Sequence, residues 1–214
     1  MAGLAVTTWN AKGGTGKTTT ALILAQIAAQ KGLRVLVSDL DNIQHNLSDD
    51  LKLGGDKRIE VIDYVPDAQD DIDMYVLDTR PDMNDTIREA LAFTDIALIP
   101  VLGDFHNIAN LGVVWKYIQD AGLGFQQAAL VKNCMSNTQT TREIEEVMDE
   151  QNYPVAARLP KNNNIIRNIA LGKAWHYGMS TAQQAPFLAL YDRVQEAYQE
   201  MLKGNFTDPW SMRS

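Results

Sequence analysis

Lys12-Gly13-Gly14-Thr15-Gly16-Lys17-Thr18-Thr19 is the stretch on which the reading of this chain turns. Before it stands Leu4-Ala5-Val6-Thr7-Thr8-Trp9, short, β-branched and aromatic, which reads as a buried strand. After it, the nine residues from Thr20 to Ala28 read as a helix with an apolar face. Strand, glycine-rich turn and helix N-terminus in that order make a phosphate cradle. Glycines let consecutive backbone N–H groups turn inward, and the helix dipole favours an anion there. In such a cradle Gly13, Gly14, Thr15, Gly16 and Thr19 wrap the phosphates, Lys17 reaches the β- and γ-phosphates, and the Thr18 hydroxyl is a ligand of Mg²⁺.

In the ordinary pattern G-x-x-x-x-G-K-[ST] the first glycine falls at position 11, which here is Ala11, while a second lysine, Lys12, sits inside the loop. That is the deviant form of the Walker A motif, and through it the chain resembles the ParA/MinD group of P-loop ATPases, whose signature is xKGGxGK[ST]. The resemblance runs from Leu4 to about Lys203. It implies ATP as ligand and an ATP-sandwich homodimer, with Lys17 acting in cis and Lys12 crossing to the partner's phosphates.

Two aspartates at strand ends extend the motif. Arg34 to Asp39 reads as a second strand after a helix stop at Gly32. It ends in Asp39-Leu40-Asp41, and in open α/β sheets the ligand lies beyond the carboxyl ends of the strands. This resembles the Walker A′ element D-x-D-P-Q, which implies that Asp39 positions or activates the attacking water. Asn42-Ile43 replaces the single proline and moves Gln44 out of its usual spacing, while Asp41 reads equally well as a cap for the segment after it. Met74 to Asp78 is a further buried strand whose terminal Asp78 stands in the Walker B position, holding Mg²⁺ directly or through water. The family's D-T-P-P is here Asp78-Thr79-Arg80-Pro81, and Arg80 has two open partners, a phosphate or a carboxylate such as Asp82.

The remaining chain alternates in the same way. Asp49 to Leu51 reads as a short helix, Ile59 to Ile62 as a short strand, Met83 to Phe93 as a helix and Ile96 to Val101 as a strand. Asn107 to Ala121 is helical by the three- and four-residue spacing of Ile108, Leu111, Val114, Trp115 and Ile118. By resemblance the loop Gly103 to Asn107 is a nucleotide-sensing switch near the dimer face. His106 within it has no carboxylate at readable spacing and reads as non-catalytic. Ala128 to Asn133 is a strand, Thr138 to Gln151 a charged helix with Ile144, Val147 and Met148 inward, and Val155 to Pro160 a last strand. The resemblance implies that Asn133 contacts the adenine and that residues at Pro160 border it. Asn164 to Lys173 begins another helical segment, Ser180 to Lys203 is the terminal helix, and Asn205 to Ser214 reads as a loose tail. The expected fold is α/β, a mostly parallel twisted sheet with helices on both faces, as one domain over 1–204 with a tail over 205–214.

Composition narrows the function. At 214 residues and 45% hydrophobic, the chain suits one domain with a sizeable core. The single cysteine, Cys134, cannot supply the paired thiolates of an intersubunit iron–sulfur cluster, which sets aside the nitrogenase iron-protein branch of the superfamily. No stretch reads as a leader or a membrane span, so a cytoplasmic protein is expected. The net charge of −8 opposes nucleic acid as a partner, but it is unevenly spread. Asp49 to Asp95 holds fourteen acids against five bases, whereas Pro154 to Tyr191 holds Arg158, Lys161, Arg167 and Lys173 with no acid. These four are the candidate DNA contacts, the alternative being a solvated basic surface. The closing Asp208 to Ser214 is too short and too weakly basic for a membrane-surface helix, so membrane attachment is not expected. The resemblance thus implies a ParA-like, nucleoid-associated partition or positioning ATPase, slow and stimulated by a ParB-like or other adaptor. The alternatives are a MinD-like membrane regulator, a small-molecule synthetase of the dethiobiotin or cobyrinate type, and a scaffold without hydrolysis.

Overall fold

The computed structural model describes residues 3–41, 56–135, 138–205 and 209–210, apart from the side chains of 105–107, 166, 169 and 170. Short apolar runs bounded by glycine, proline or aspartate become strands: β1 (Leu4–Thr8), β2 (Val35–Asp39), β3 (Ile59–Ile62), β4 (Met74–Asp78), β5 (Ile96–Leu102), β6 (Ala128–Met135) and β7 (Val155–Pro160). They form a sheet in the order β3-β2-β4-β1-β5-β6-β7, every neighbouring pair parallel. Helix α1 (Lys17–Gln30) follows β1, α2 (Asp85–Phe93) follows β4, α3 (Phe105–Asp120) follows β5, α4 (Gln139–Glu150) follows β6, and α5 (Asn163–Ala170) and α6 (Thr181–Leu202) follow β7.

A parallel sheet covered on both faces needs apolar residues at every strand position, with alternate side chains serving opposite layers. That division is complete here. Val6, Val37, Val76, Leu98 and Val131 join the layer beneath α1 and α6. Ala97, Ile99 and Leu130 face the layer of α3 and α4, and Leu36, Tyr75 and Leu77 pack with Ala90 of α2. Between β3 and β4 the chain crosses over without a helix; Val65 and Ile72 of this crossover pack in the last of those layers, and the Ser38 hydroxyl donates to the Tyr64 carbonyl.

Three expectations change. Helix α1 does not present a single apolar face: Thr20 to Ala29 are all buried, because the sheet covers one side and α6 much of the other. Val147, expected on the inner face of α4, is 37% exposed, and Ile144 and Met148 alone of the three face inward. The tail is not loose at Trp210, which is 2% exposed, donates its indole N–H to the Gln126 carbonyl at 3.0 Å, and accepts at its own carbonyl from Arg193. The proposed helix at Asp49 to Leu51, and Gln44, lie outside the described residues.

Candidate nucleotide site

The loop between β1 and α1 leaves the centre of the sheet at the carboxyl ends of the strands. Its entrance is fixed by Asn10, whose side-chain amide donates to the Pro100 carbonyl at 2.8 Å and accepts from the Lys12 N–H at 2.9 Å. Gly14 (φ +74°) and Gly16 (φ +96°) hold left-handed conformations that other residues adopt only with strain. Gly16 is further constrained: a Cβ there lies 2.0 Å from the Asn133 side-chain nitrogen.

One cavity, of about 270 Å³, opens on the phosphate side of this loop and is bordered by Gly13, Lys17, Thr18, Asp41, Thr79 and Pro81. Lys17 is nearly buried and its Nζ donates to the Lys12 carbonyl at 3.0 Å. Burial pulls its ammonium below the ordinary lysine value, opposed by the nearby Asp78 and Asp41. Asp39 and Asp78 end adjacent strands in direct register, both almost fully buried. Asp78 accepts from the Thr18 and Thr8 hydroxyls, the latter at 3.3 Å. Its carboxyl is pushed up to about 7, first by burial and then by the negative charge of Asp39, with Thr18, Lys17 and Thr8 pulling the other way. A hydroxyl already touching a carboxylate that a nearby cation would re-ionise is a hard-oxygen donor set, and it fits Mg²⁺. Asp41 borders the cavity, its N–H directed toward Asp39.

A second cavity, of about 130 Å³, lies across the loop between Gly16, Asn133, Pro160, Ile165 and Phe187. Its apolar walls suit a flat base. Asn133 and Pro160 therefore come together, but the Asn133 amide also braces its own surroundings. Its nitrogen donates to the Thr15 carbonyl at 3.1 Å and its oxygen accepts from the Cys134 N–H at 3.0 Å.

Lys12 is set apart from both cavities. Its Nζ meets the two carboxylate oxygens of Asp104, at 3.0 and 3.4 Å, just before α3, with about a third of the lysine side chain exposed. Asp104 lies in the expected switch loop from Gly103 to Asn107, but its pairing with Lys12 was not foreseen, since nothing in its spacing connects a residue after β5 with the loop after β1. Trp9 was read only as the end of a strand, yet it leaves β1 and is fully buried beside the loop. Arg80 does not pair with Asp82; the Asp82 carboxylate accepts instead from the Met83 N–H and the Asn84 amide. The His106 side chain lies outside the described residues.

The four basic candidates share the β7 edge. Lys161 follows β7, Arg167 is on α5 and Lys173 just beyond it, all exposed, with the Lys173 Nζ 4.1 Å from the Tyr177 ring centroid. Arg158, on β7 itself, is engaged by Glu145 of α4 through two hydrogen bonds, at 2.8 and 3.1 Å.

A parallel sheet with a glycine-rich phosphate loop at its centre, and two carboxylates at the ends of adjacent strands, defines a P-loop nucleotide-binding protein. Residues 6–175 match the model of the CobQ/CobB/MinD/ParA nucleotide-binding domain, and the chain belongs to that family. Among curated proteins, none matches this chain in sequence. Solved structures share the fold at low identity. The cell division ATPase MinD of Pyrococcus furiosus has a TM-score of 0.73 at 20% identity, over 94% of this chain and 99% of that one. A protein of Borrelia burgdorferi B31, described as a plasmid partition protein and bound to AMPPNP, has 0.68 at 16%, over 93% and 99%. Cobyrinic acid a,c-diamide synthase of Mycobacterium smegmatis, with an ATP analogue and magnesium, has 0.67 at 15%, over 94% and 96%.

Proposed function

We propose that this chain is a ParA-like ATPase that closes into a homodimer around ATP, binds DNA without sequence preference in that state, and partitions or positions a cargo as hydrolysis reopens it. The observation that carries the reading is the division of labour between two lysines of one loop. Lys17 lies inside the phosphate cavity with Thr18, while Lys12 points out of it, partly exposed, toward Asp104. A phosphate-loop lysine whose side chain lies outside its own subunit's cavity is suited to serve a second subunit's phosphate.

ATP binds with its phosphates on the loop between Gly13 and Thr19 and its base in the cavity at Asn133 and Pro160. Thr18 and Asp78 hold Mg²⁺, which neutralises phosphate charge when bound. Asp39, buried beside Asp78, orients the attacking water. Lys12 of each subunit leaves Asp104 for the partner's phosphates. DNA lies along Lys161, Arg167 and Lys173, with Arg158 contributing least because Glu145 already matches its charge. Doubling a few phosphate contacts by dimerisation turns weak attraction into useful affinity. A ParB-like or other adaptor stimulates the slow turnover, and the ATP form is nucleoid-associated.

The test is binding to a non-specific duplex by wild type and Lys12→Ala with no nucleotide, with ADP, and with ATP plus Mg²⁺. Binding is expected only with ATP and only for the wild type. Absence of DNA binding in every nucleotide state overturns the reading, and turnover stimulated by a small-molecule substrate would then favour the synthetase.

A further inference from the structure

Trp9 ties the start of the phosphate loop to β5, to the loop after Asp78 and to α3. It is fully buried, and its N–H continues the sheet by donating to the Leu98 carbonyl at 3.0 Å. Its indole N–H donates to the Asp82 carbonyl at 3.0 Å, in the loop that follows Asp78. Its ring stacks on Tyr117 of α3, centroids 4.9 Å apart and planes 29° from parallel. The Tyr117 hydroxyl donates in turn to the Asn84 carbonyl at 3.2 Å, and the Asn84 side chain caps α2 through the Ile87 N–H. Residues 79–84 are therefore gripped at two carbonyls by a stacked aromatic pair.

That loop forms a wall of the phosphate cavity. Thr79 and Pro81 border the cavity beside Lys17 and Thr18, at the end remote from Asn133 and Pro160. A Cβ on Gly13 would meet Pro81 at 3.8 Å, so the 79–84 loop lies directly against the phosphate loop. The Thr79 hydroxyl donates to the Thr8 carbonyl at 2.8 Å, tying the same loop to the residue before Trp9. With the base at Asn133 and Pro160, the end bordered by Lys17, Thr18 and Asp41 would receive the outermost phosphate, and a wall braced there holds a triphosphate differently from a diphosphate.

We infer that Trp9, through its hydrogen bond to Asp82 and its stack on Tyr117, is a positioning residue that holds the Thr79–Asn84 loop against the phosphate loop and so sets the preference of the site for a nucleoside triphosphate over a diphosphate. The inference rests on the nucleotide being bound as described above, and needs neither the dimer nor DNA.

The experiment is calorimetric titration of wild type, Trp9→Phe and Tyr117→Phe with Mg-ADP and with a Mg-loaded non-hydrolysable ATP analogue. Trp9→Phe removes the donor to Asp82 together with the five-membered half of the buried indole, and the Mg-ADP titration reports what that lost packing costs. Loss of one such bond at the terminal-phosphate end is expected to weaken the analogue by about 3- to 10-fold, with ADP affinity changed less than about twofold. The proposal is overturned if analogue and ADP weaken together, which is what general destabilisation gives, or if neither moves. Should Trp9→Phe not fold, Tyr117→Phe, which loses only the donor to Asn84, is read by the same criterion. ATP-dependent DNA binding by the wild type decides the proposed function separately, so the two can fail independently.

Discussion

Asp78 has to be a carboxylate to hold a cation, yet it is buried beside Asp39, and in the free protein its carboxyl is raised to about 7 from an unfolded value near 3.8. Between those values the folded chain binds the extra proton, so stability of the nucleotide-free protein falls as pH rises through the window and levels off above 7. The upper bound is on the order of 4 kcal/mol. Asp78→Asn removes the dependence: urea denaturation is expected to show the variant equal to wild type near the lower end of that window and more stable above its upper end. The same proton must leave when Mg²⁺ binds, so Mg-nucleotide affinity should weaken as pH falls below 7, by up to about tenfold per unit, read by calorimetry in two buffers of different ionisation enthalpy. Lys12 and Asp104 make a second residue-scale prediction. An ion pair this exposed contributes roughly 0.2–1 kcal/mol, and the proposed dimer closure would break two of them. Asp104→Asn should therefore tighten ATP-dependent dimerisation about 2- to 30-fold, measured by sedimentation; an unchanged dimer constant refutes the role given to the pair. The places of Lys17 and Thr18 at the start of α1, and of Asp39 and Asp78 at two adjoining strand ends, were legible because their neighbours in sequence set their backbone context. The contacts of Asp104 and Trp9 were not, because their partners lie far away in the chain, at positions 12, 82 and 117.

Strands were the most legible elements, because a parallel strand covered on both faces must be apolar at consecutive positions and stops where a charge or turn residue appears. Every strand but β6 lies within a residue of its expected bounds, and β6 runs two residues further, to Met135. Helix α1 begins at Lys17, inside the motif, since the left-handed Gly16 is already its N-cap. Its periodicity misled, because a helix buried between a sheet and another helix has no polar face to mark its inside. The terminal helix was read closely: Ser180 caps it with Gln183 reciprocating, and Phe187, Leu190, Tyr191, Val194 and Ala197 form its buried face. The tail beyond it was misread, since a lone tryptophan in a polar segment carries no periodicity. Trp210 shares the core beneath α1 and α6, and Trp210→Ala is expected to cost about 3–5 kcal/mol in denaturant unfolding, against about 1 kcal/mol for Ser180→Ala. If Trp210→Ala costs less than Ser180→Ala, the tail does not belong to the core.

At the scale of the whole molecule, the sheet order turns an uneven sequence into a polar object. The chain from Asp56 to Asp73, with seven acids and two bases, lies around the edge strand β3; Lys161, Arg167 and Lys173 lie at the opposite edge, beyond β7. A polyanion meeting a protein of net charge −8 is thus repelled at the β3 edge and by the five acids of α4, and attracted only along Lys161, Arg167 and Lys173, so net charge alone does not decide the proposed partner. The polarity makes DNA binding countable. Each phosphate neutralised contributes about 0.9 to the slope of log affinity against log salt. Three cations in one subunit give a slope of about −3 and six in a dimer about −5, which between 50 and 200 mM salt means a loss of roughly 40-fold against roughly 10³-fold. Fluorescence anisotropy of a labelled duplex should give the steeper slope with ATP and Mg²⁺. Arg167→Ala, removed twice per dimer, should flatten it by about 2, whereas Arg158→Ala should leave it unchanged because Glu145 already neutralises that guanidinium. If Arg158→Ala flattens the slope as much as Arg167→Ala does, the ion pair to Glu145 opens on DNA and the contact surface extends onto β7. If neither variant changes the slope, the DNA lies elsewhere and the basic edge is only a solvated surface.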